Sequence, residues 1–268
     1  MADIRIFSYL PNPRVFKSTV TARLNGVSIE LVGAKPAELA DWLWDFDARP
    51  LTDEDRSDKA QIKTAKTGFS GQLHKTNAFL KAHPYGTVPA AFSSDGSTGI
   101  FESNSIMRAV ARLGVDDSKL YGTNAVEASR IDSFLDTALL FARDSQIYLL
   151  AIGDRSITET VQEEMLAASR KYLEGIEQAL KTSRFIAGGD LTIADICFVC
   201  ELSLFSRERA AFRVLEKISC QPLWPVLEAE YTNCFQHFAT LIENPAVKQD
   251  LGPYLDQVEE DVQARLQD

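Results

Sequence analysis

Long apolar runs are missing from this chain. None approaches the ~18 residues a membrane helix needs, so no membrane span is expected. The first residues, MADIRIF, lack the basic start and apolar stretch of a secretory signal, so the cytoplasm is the expected compartment. Basic charge is also short. Twenty-eight Lys and Arg face 38 Asp and Glu, giving a net charge of −10 and a pI of about 4.9. That balance argues against nucleic acid and anionic membrane as main partners, while leaving room for a small anion in a local basic pocket. Cysteine is scarce and late: Cys197, Cys200, Cys220 and Cys234. Cys197 and Cys200 spell CxxC inside the apolar run "TIADICFVCELSLF", with no second CxxC and no histidine nearby in sequence. Buried reduced thiols are expected there, and no metal site. Repeats and low-complexity tracts are absent as well.

What is present reads as two halves. "DIRIFSY" (3–9) alternates like a strand. From Pro13 the residues Phe16, Val20 and Leu24 make a helical stripe that Asn25-Gly26 ends. Val27, Ile29 and Leu31 give a second strand, so the chain opens β-α-β with a parallel pair. Leu39, Trp42 and Leu43 have helical spacing. Residues 45–72 are polar and read as an insertion, partly loop. A helix pattern resumes near His74 with Phe79 and Leu80. "GTVPAAF" and "IFE" flank a Gly/Ser turn and read as an antiparallel hairpin. A helix follows with Ser103 as its N-cap.

After a linker at 115–125 only helices are expected. Ile131, Phe134, Leu135 and Ala138 stripe the first. Ser156 and Glu159 suggest a capping box for the next, lined by Tyr172, Leu173, Ile176 and Leu180. A long helix is expected from Pro225 to just before Pro245. "GGDLTIADI" (188–196) is a well-made helix start: Thr192 caps, Asp195 reaches back, and Leu191 and Ile196 form a hydrophobic staple.

This box, deep in a helical half that follows a β-α-β-(α)-β-β-α half, resembles the cytosolic glutathione transferase superfamily. The run "GQ…FL…P.G.VPA" before "FES.SI" is similar in pattern to the transferase-like domain of elongation factor 1 gamma. The resemblance implies an α+β chain, with a thioredoxin-like, glutathione-binding domain over 1–114 and an all-helical domain over 124–268. It also implies a homodimer acting in detoxification.

The chemistry follows residue by residue. In the family the proline matching Pro89 is cis, which would turn the backbone of Val88 outward to pair with a peptide ligand. Ser103 sits at a helix N-terminus, which favours a carboxylate, and Glu102 beside it can take an α-amino group. Together they read as a clamp for an amino-acid head, which the resemblance implies is the γ-glutamyl group of glutathione. His74 matches a histidine that faces the glycyl carboxylate, with Lys75 or Lys81 as further positive charge. His83 and His237 read as structural or exposed. The turn "YLPNPRVFKS" (9–18) holds no cysteine, which removes disulfide-exchange chemistry. Asn12 stands where related enzymes carry a serine, and its side-chain N–H can donate to a thiolate. Such a bond is worth ~1.5–3 kcal/mol. Ser8 and Tyr9, at the strand end, are the other candidates for the thiol contact. Phe141, Tyr148 and Phe205 are expected around a small hydrophobic electrophile, and the insertion reads as either a lid or a solvated loop. The implied activity is glutathione conjugation or glutathione-dependent ether or halide cleavage. The alternative is a non-catalytic scaffold or interaction module.

Overall fold

Strand β1 (Ile4–Tyr9) puts Ile6 on one face of a sheet and Phe7 on the other, each against its own core cluster. The computed structural model describes residues 2–65, 69, 71–114 and 118–267. The chain divides into two units, Met1–Val115 and Asp116–Asp268.

In the first unit, helix α1 (Pro13–Asn25) starts at Asn12, whose Oδ1 accepts the Arg14 N–H at 3.0 Å, with Pro13 in the first turn. It ends at Gly26, held at φ 69°, a conformation that glycine adopts without penalty. Strand β2 (Ile29–Ala34) then pairs parallel with β1, from Ile4 opposite Ile29 to Tyr9 opposite Ala34.

The next stretch departs from its sequence pattern. Leu39, Trp42 and Leu43 do not share a helix. A 3-10 turn (Pro36–Asp41) leads into β3 (Trp42–Trp44). The polar insertion, expected as partly loop, supplies β4 (Arg49–Pro50), the short α2 (Asp53–Ser57) and β5 (Ile62–Thr64), and its last residue opens β6 (Gln72–Lys75). These strands form a second sheet in the order β4-β3-β6-β5. Lys66, Thr67, Gly68 and Ser70 of the insertion, and the first three residues of the 115–125 linker, lie outside the described residues. Aromatic burial explains the strand choice. Trp44 packs edge-on against Phe7 (5.5 Å) and Phe79 (6.2 Å), filling the core that Phe7, Leu73 and Phe92 share. His74 lies in β6, not in a helix; the helix α3 (Asn77–Ala82) begins only after Thr76 caps it.

The hairpin forms as expected from β7 (Ala90–Ser93) and β8 (Gly99–Phe101), antiparallel, with β7 also antiparallel to β1. The first sheet therefore runs β2-β1-β7-β8. Helix α4 (Ser103–Leu113) follows, its N-cap position filled by Glu102 rather than Ser103. Val15, Ala22, Ile106 and Val110 of α1 and α4 cover the Ile4–Ile6–Ala91 face. Asn25 fastens the two helices by donating to the carbonyls of Val110 and Ala111.

The second unit is helical. Asn124 caps α5 (Ala125–Gly153), whose buried stripe includes Ile131, Leu135 and Ala138. Thr158, not Ser156, caps α6 (Glu159–Leu180). Helix α7 (Ile193–Phe205) is buried along its whole length, as an all-round apolar helix must be. Its Thr192–Asp195 capping box forms, and Cys197 and Cys200 are buried thiols within it. Then come α8 (Phe212–Glu216), α9 (Trp224–Glu230), α10 (Thr232–Ile242) and α11 (Pro245–Gln267). The single helix expected from Pro225 is thus broken at Tyr231, which leaves helical geometry (φ −123°, ψ 61°). The orphan first-turn donors of α10 find a partner across the unit: Glu177 of α6 accepts the N–H groups of Asn233 and Cys234. Among the described residues no helix is long and apolar enough to cross a membrane, and no group of acidic, His or Cys side chains could hold a metal.

Candidate functional site

Strand register gathers three of the sequence-derived groups at one end of the first sheet. Phe7 lies opposite Ala90, and Ala90 opposite Phe101. The next positions along each chain are Ser8, Pro89 and Glu102, so the 8–12 turn, the Val88–Pro89 loop and the Glu102–Ser103 corner converge there.

Each arrives in a particular state. Val88–Pro89 is a cis peptide. Glu102 is exposed and sits at φ 66°, ψ 122°, a left-handed backbone that L residues avoid. Its side chain makes no capping hydrogen bond. Ser103, the first helical residue, is buried, and its Oγ accepts from Lys17 Nζ at 3.2 Å; the same ammonium donates to Asn104 Oδ1 at 2.7 Å. Lys17 stands next to Phe16 on the buried side of α1, and the stripe Phe16–Val20–Leu24 gave no signal of this reach across 86 residues.

The turn that opens α1 is closed inward. Asn12 and Ser8 are both 0% exposed. Asn12 Nδ2 donates to Ser8 Oγ at 3.2 Å while its Oδ1 caps the helix. Two of the three candidate thiol donors therefore bond to each other. Tyr9 is half-buried, with its ring edge-on to Phe69 at 6.5 Å.

His74 is placed by the second sheet, opposite Leu43 on β3 and Ile62 on β5, and its Nδ1 is buried without a hydrogen-bond partner among the described residues. Lys75 is not a solvated base. It is buried, its ammonium lies 4.5 Å from the centroid of a Trp44 ring, and Nζ donates to the Gly86 carbonyl at 2.6 Å. Lys81 is exposed.

The expected electrophile wall is not a wall. Phe141, Tyr148 and Phe205 are buried inside the second unit, where Phe141 stacks on Tyr172 (4.7 Å) and meets Phe205 (5.7 Å). Tyr148 donates its hydroxyl to the buried Glu208 carboxylate at 3.1 Å. Their helical spacing marks core, as aromatic stripes on amphipathic helices generally do. A cleft of about 280 Å³ between α5 and α6 counts Phe141 and Tyr172 among its lining residues, and neither Tyr148 nor Phe205.

Comparison with known proteins bears on the fold that carries this arrangement. The family model described as "Glutathione S-transferase, C-terminal domain" matches residues 132–245. The fold matches that of a delta-class glutathione transferase from Nilaparvata lugens at a TM-score of 0.64 and 17% identity, covering 98% of this chain and 99% of that one. Residues 132–245 thus carry the glutathione S-transferase C-terminal domain, and the chain as a whole has the glutathione transferase fold. A second fold match is a glutathione S-transferase from Methylobacillus flagellatus solved with glutathione bound (TM-score 0.60, 15% identity, 92% and 98% covered). By sequence, a relative is probable elongation factor 1-gamma 1 of Arabidopsis thaliana, 32% identical over 54% of this chain and 34% of its own length. The chain spans under half the length of the elongation factor relatives it matches.

Proposed function

We propose that the chain binds reduced glutathione at this end of the first sheet and conjugates its thiol to a small hydrophobic electrophile. One observation carries the reading. A non-glycine residue at positive φ costs about 1–3 kcal/mol and persists where the surroundings or a function demand it. Glu102 bears that conformation with an exposed carboxylate that neither caps the helix nor is held by it. Placed there, the carboxylate suits the α-amino group of the γ-glutamyl end, and the first-turn N–H groups of α4 suit its α-carboxylate. The bound glutathione of the Methylobacillus flagellatus relative supports the same ligand. A cytoplasmic homodimer goes with this reading by family resemblance.

A specific observation favours a second reading, a glutathione transferase-like scaffold without turnover. Asn12 and Ser8 are buried and bonded to each other, and elongation factor 1-gamma proteins are among the sequence relatives. Calorimetric titration with glutathione, together with thiolate absorbance near about 240 nm, separates the two. Binding with a lowered thiol pKa supports the transferase; binding without it supports a carrier or scaffold; no binding refutes the ligand assignment. Glu102→Ala is expected to weaken binding about ten- to hundredfold. Asn12→Ala is expected to leave binding and lose thiolate, and unchanged turnover in that variant would shift the thiol contact to Ser8 or Tyr9.

A further inference from the structure

His83 is fully buried and touches both loops that frame the candidate site. Its Nδ1 accepts the Gly86 N–H at 3.1 Å, a bond that Gly86 shares with the His83 carbonyl at 2.9 Å. Its ring lies 5.1 Å from Phe101, the residue before Glu102, and stacks on Phe79 at 5.6 Å. The Gly86 peptide is thus held at both ends, by His83 at its N–H and by Lys75 at its carbonyl. Gly86 itself sits at φ +59°, and a Cβ there would meet Leu80 Cδ2 at 2.8 Å, so the turn has little freedom to relax. Two residues later the chain reaches Val88.

We infer that His83 is a positioning residue for the ligand site, fixing the Gly86–Pro89 loop and the Phe101–Glu102 corner through an unprotonated Nδ1. The inference rests on the glutathione reading above. Because Nδ1 accepts, the single proton of the neutral ring sits on Nε2, which is buried and has no hydrogen-bond partner among the described residues. Protonation would turn Nδ1 into a donor facing a donor and release Gly86. Burial, with the Lys75 ammonium nearby, holds the His83 pKa below its ordinary 6.5. Lys75 of β6 is the charged group bearing on the ring; α3 meets it with Phe79 and β8 with Phe101, neither of which titrates. Near neutral pH the loop is therefore held, and acid loosens it. An asparagine at position 83 would keep a side-chain acceptor for the Gly86 N–H three residues on, the spacing an N-cap side chain spans. A phenylalanine would keep the ring and lose the acceptor.

The test is reduced-glutathione affinity, measured from about pH 8 to about pH 5 in the wild type, His83→Asn and His83→Phe. The wild type should weaken about three- to tenfold as pH falls, the effect of one lost hydrogen bond. His83→Asn should bind like the wild type at the high end and lack the acid loss, and His83→Phe should bind weakly throughout. An acid loss in His83→Asn equal to that of the wild type, or full affinity in His83→Phe, overturns the inference. If glutathione binds at no pH, the ligand reading fails by itself. In that case the amide resonances of Gly86, Val88 and Glu102 decide. They should shift with His83 titration in the wild type and stay still in His83→Asn; unmoved wild-type resonances overturn the inference.

Discussion

Replacing Glu102 by glycine should move stability and binding in opposite directions. The backbone at φ 66°, ψ 122° costs an L residue about 1–3 kcal/mol, and glycine none of it. Glycine adds about 0.5–1 kcal/mol of unfolded-state entropy, so the net gain in stability is about 0–2.5 kcal/mol. No cap is lost, since the Glu102 side chain makes no capping hydrogen bond and glycine is an acceptable N-cap. At about 4 °C per kcal/mol for a unit of this size, the melting temperature of the first unit should rise by up to roughly 10 °C. Trp42 and Trp44 lie in that unit and Trp224 in the other, so tryptophan fluorescence with Trp224→Phe as background follows the right transition. Binding loses a charge-assisted hydrogen bond worth about 1.5–3 kcal/mol, a roughly ten- to hundredfold loss of glutathione affinity. Lower stability in Glu102→Gly would show that the backbone is not strained there. Higher stability with unchanged affinity would show that the strain serves something other than this ligand.

Two further outcomes concern the second unit. Asp195 accepts from Ile186 N, Thr192 N, Thr192 Oγ1 and His237 Nε2, so Asp195→Ala strands four buried groups. A loss of about 3–5 kcal/mol in urea unfolding is expected, and a loss under about 1 kcal/mol would refute the hub role. Glu208 receives Leu223 N, Trp224 N and the Tyr148 hydroxyl, yet burial outweighs these donors and pushes its pKa up to about 7. A carboxyl whose folded pKa is raised binds its proton more tightly when folded. Its contribution is complete below the ordinary carboxyl range and is lost as pH rises through about 7. Thermal melts from about pH 5 to pH 8 should show the wild type losing stability relative to Glu208→Gln; parallel curves would refute it.

Much of this protein was legible in its residues because the signals are local. Hydrophobic alternation and the Asn25-Gly26 stop predict the opening β-α-β unit, and the Thr192–Asp195 spacing predicts the start of α7, since caps and periodicity act within a few residues. The absence of cysteine from the 9–18 turn likewise needed no structure. Only tertiary contacts decided the rest. Trp42 to Trp44 form a strand because Trp44 is needed in the core with Phe7 and Phe79, whatever their helical spacing. The helix after Pro225 breaks at Tyr231 because Glu177, more than fifty residues earlier, satisfies the new helix start. Asn12 is turned inward by Ser8 at a distance of four residues, but which way an amide points is set by packing rather than spacing. Lys17, His83 and Lys75 support the site through partners at 86, 3 and 11 residues' separation. A long polar side chain declares its partner only when the fold brings a buried acceptor or donor within about 3 Å of it.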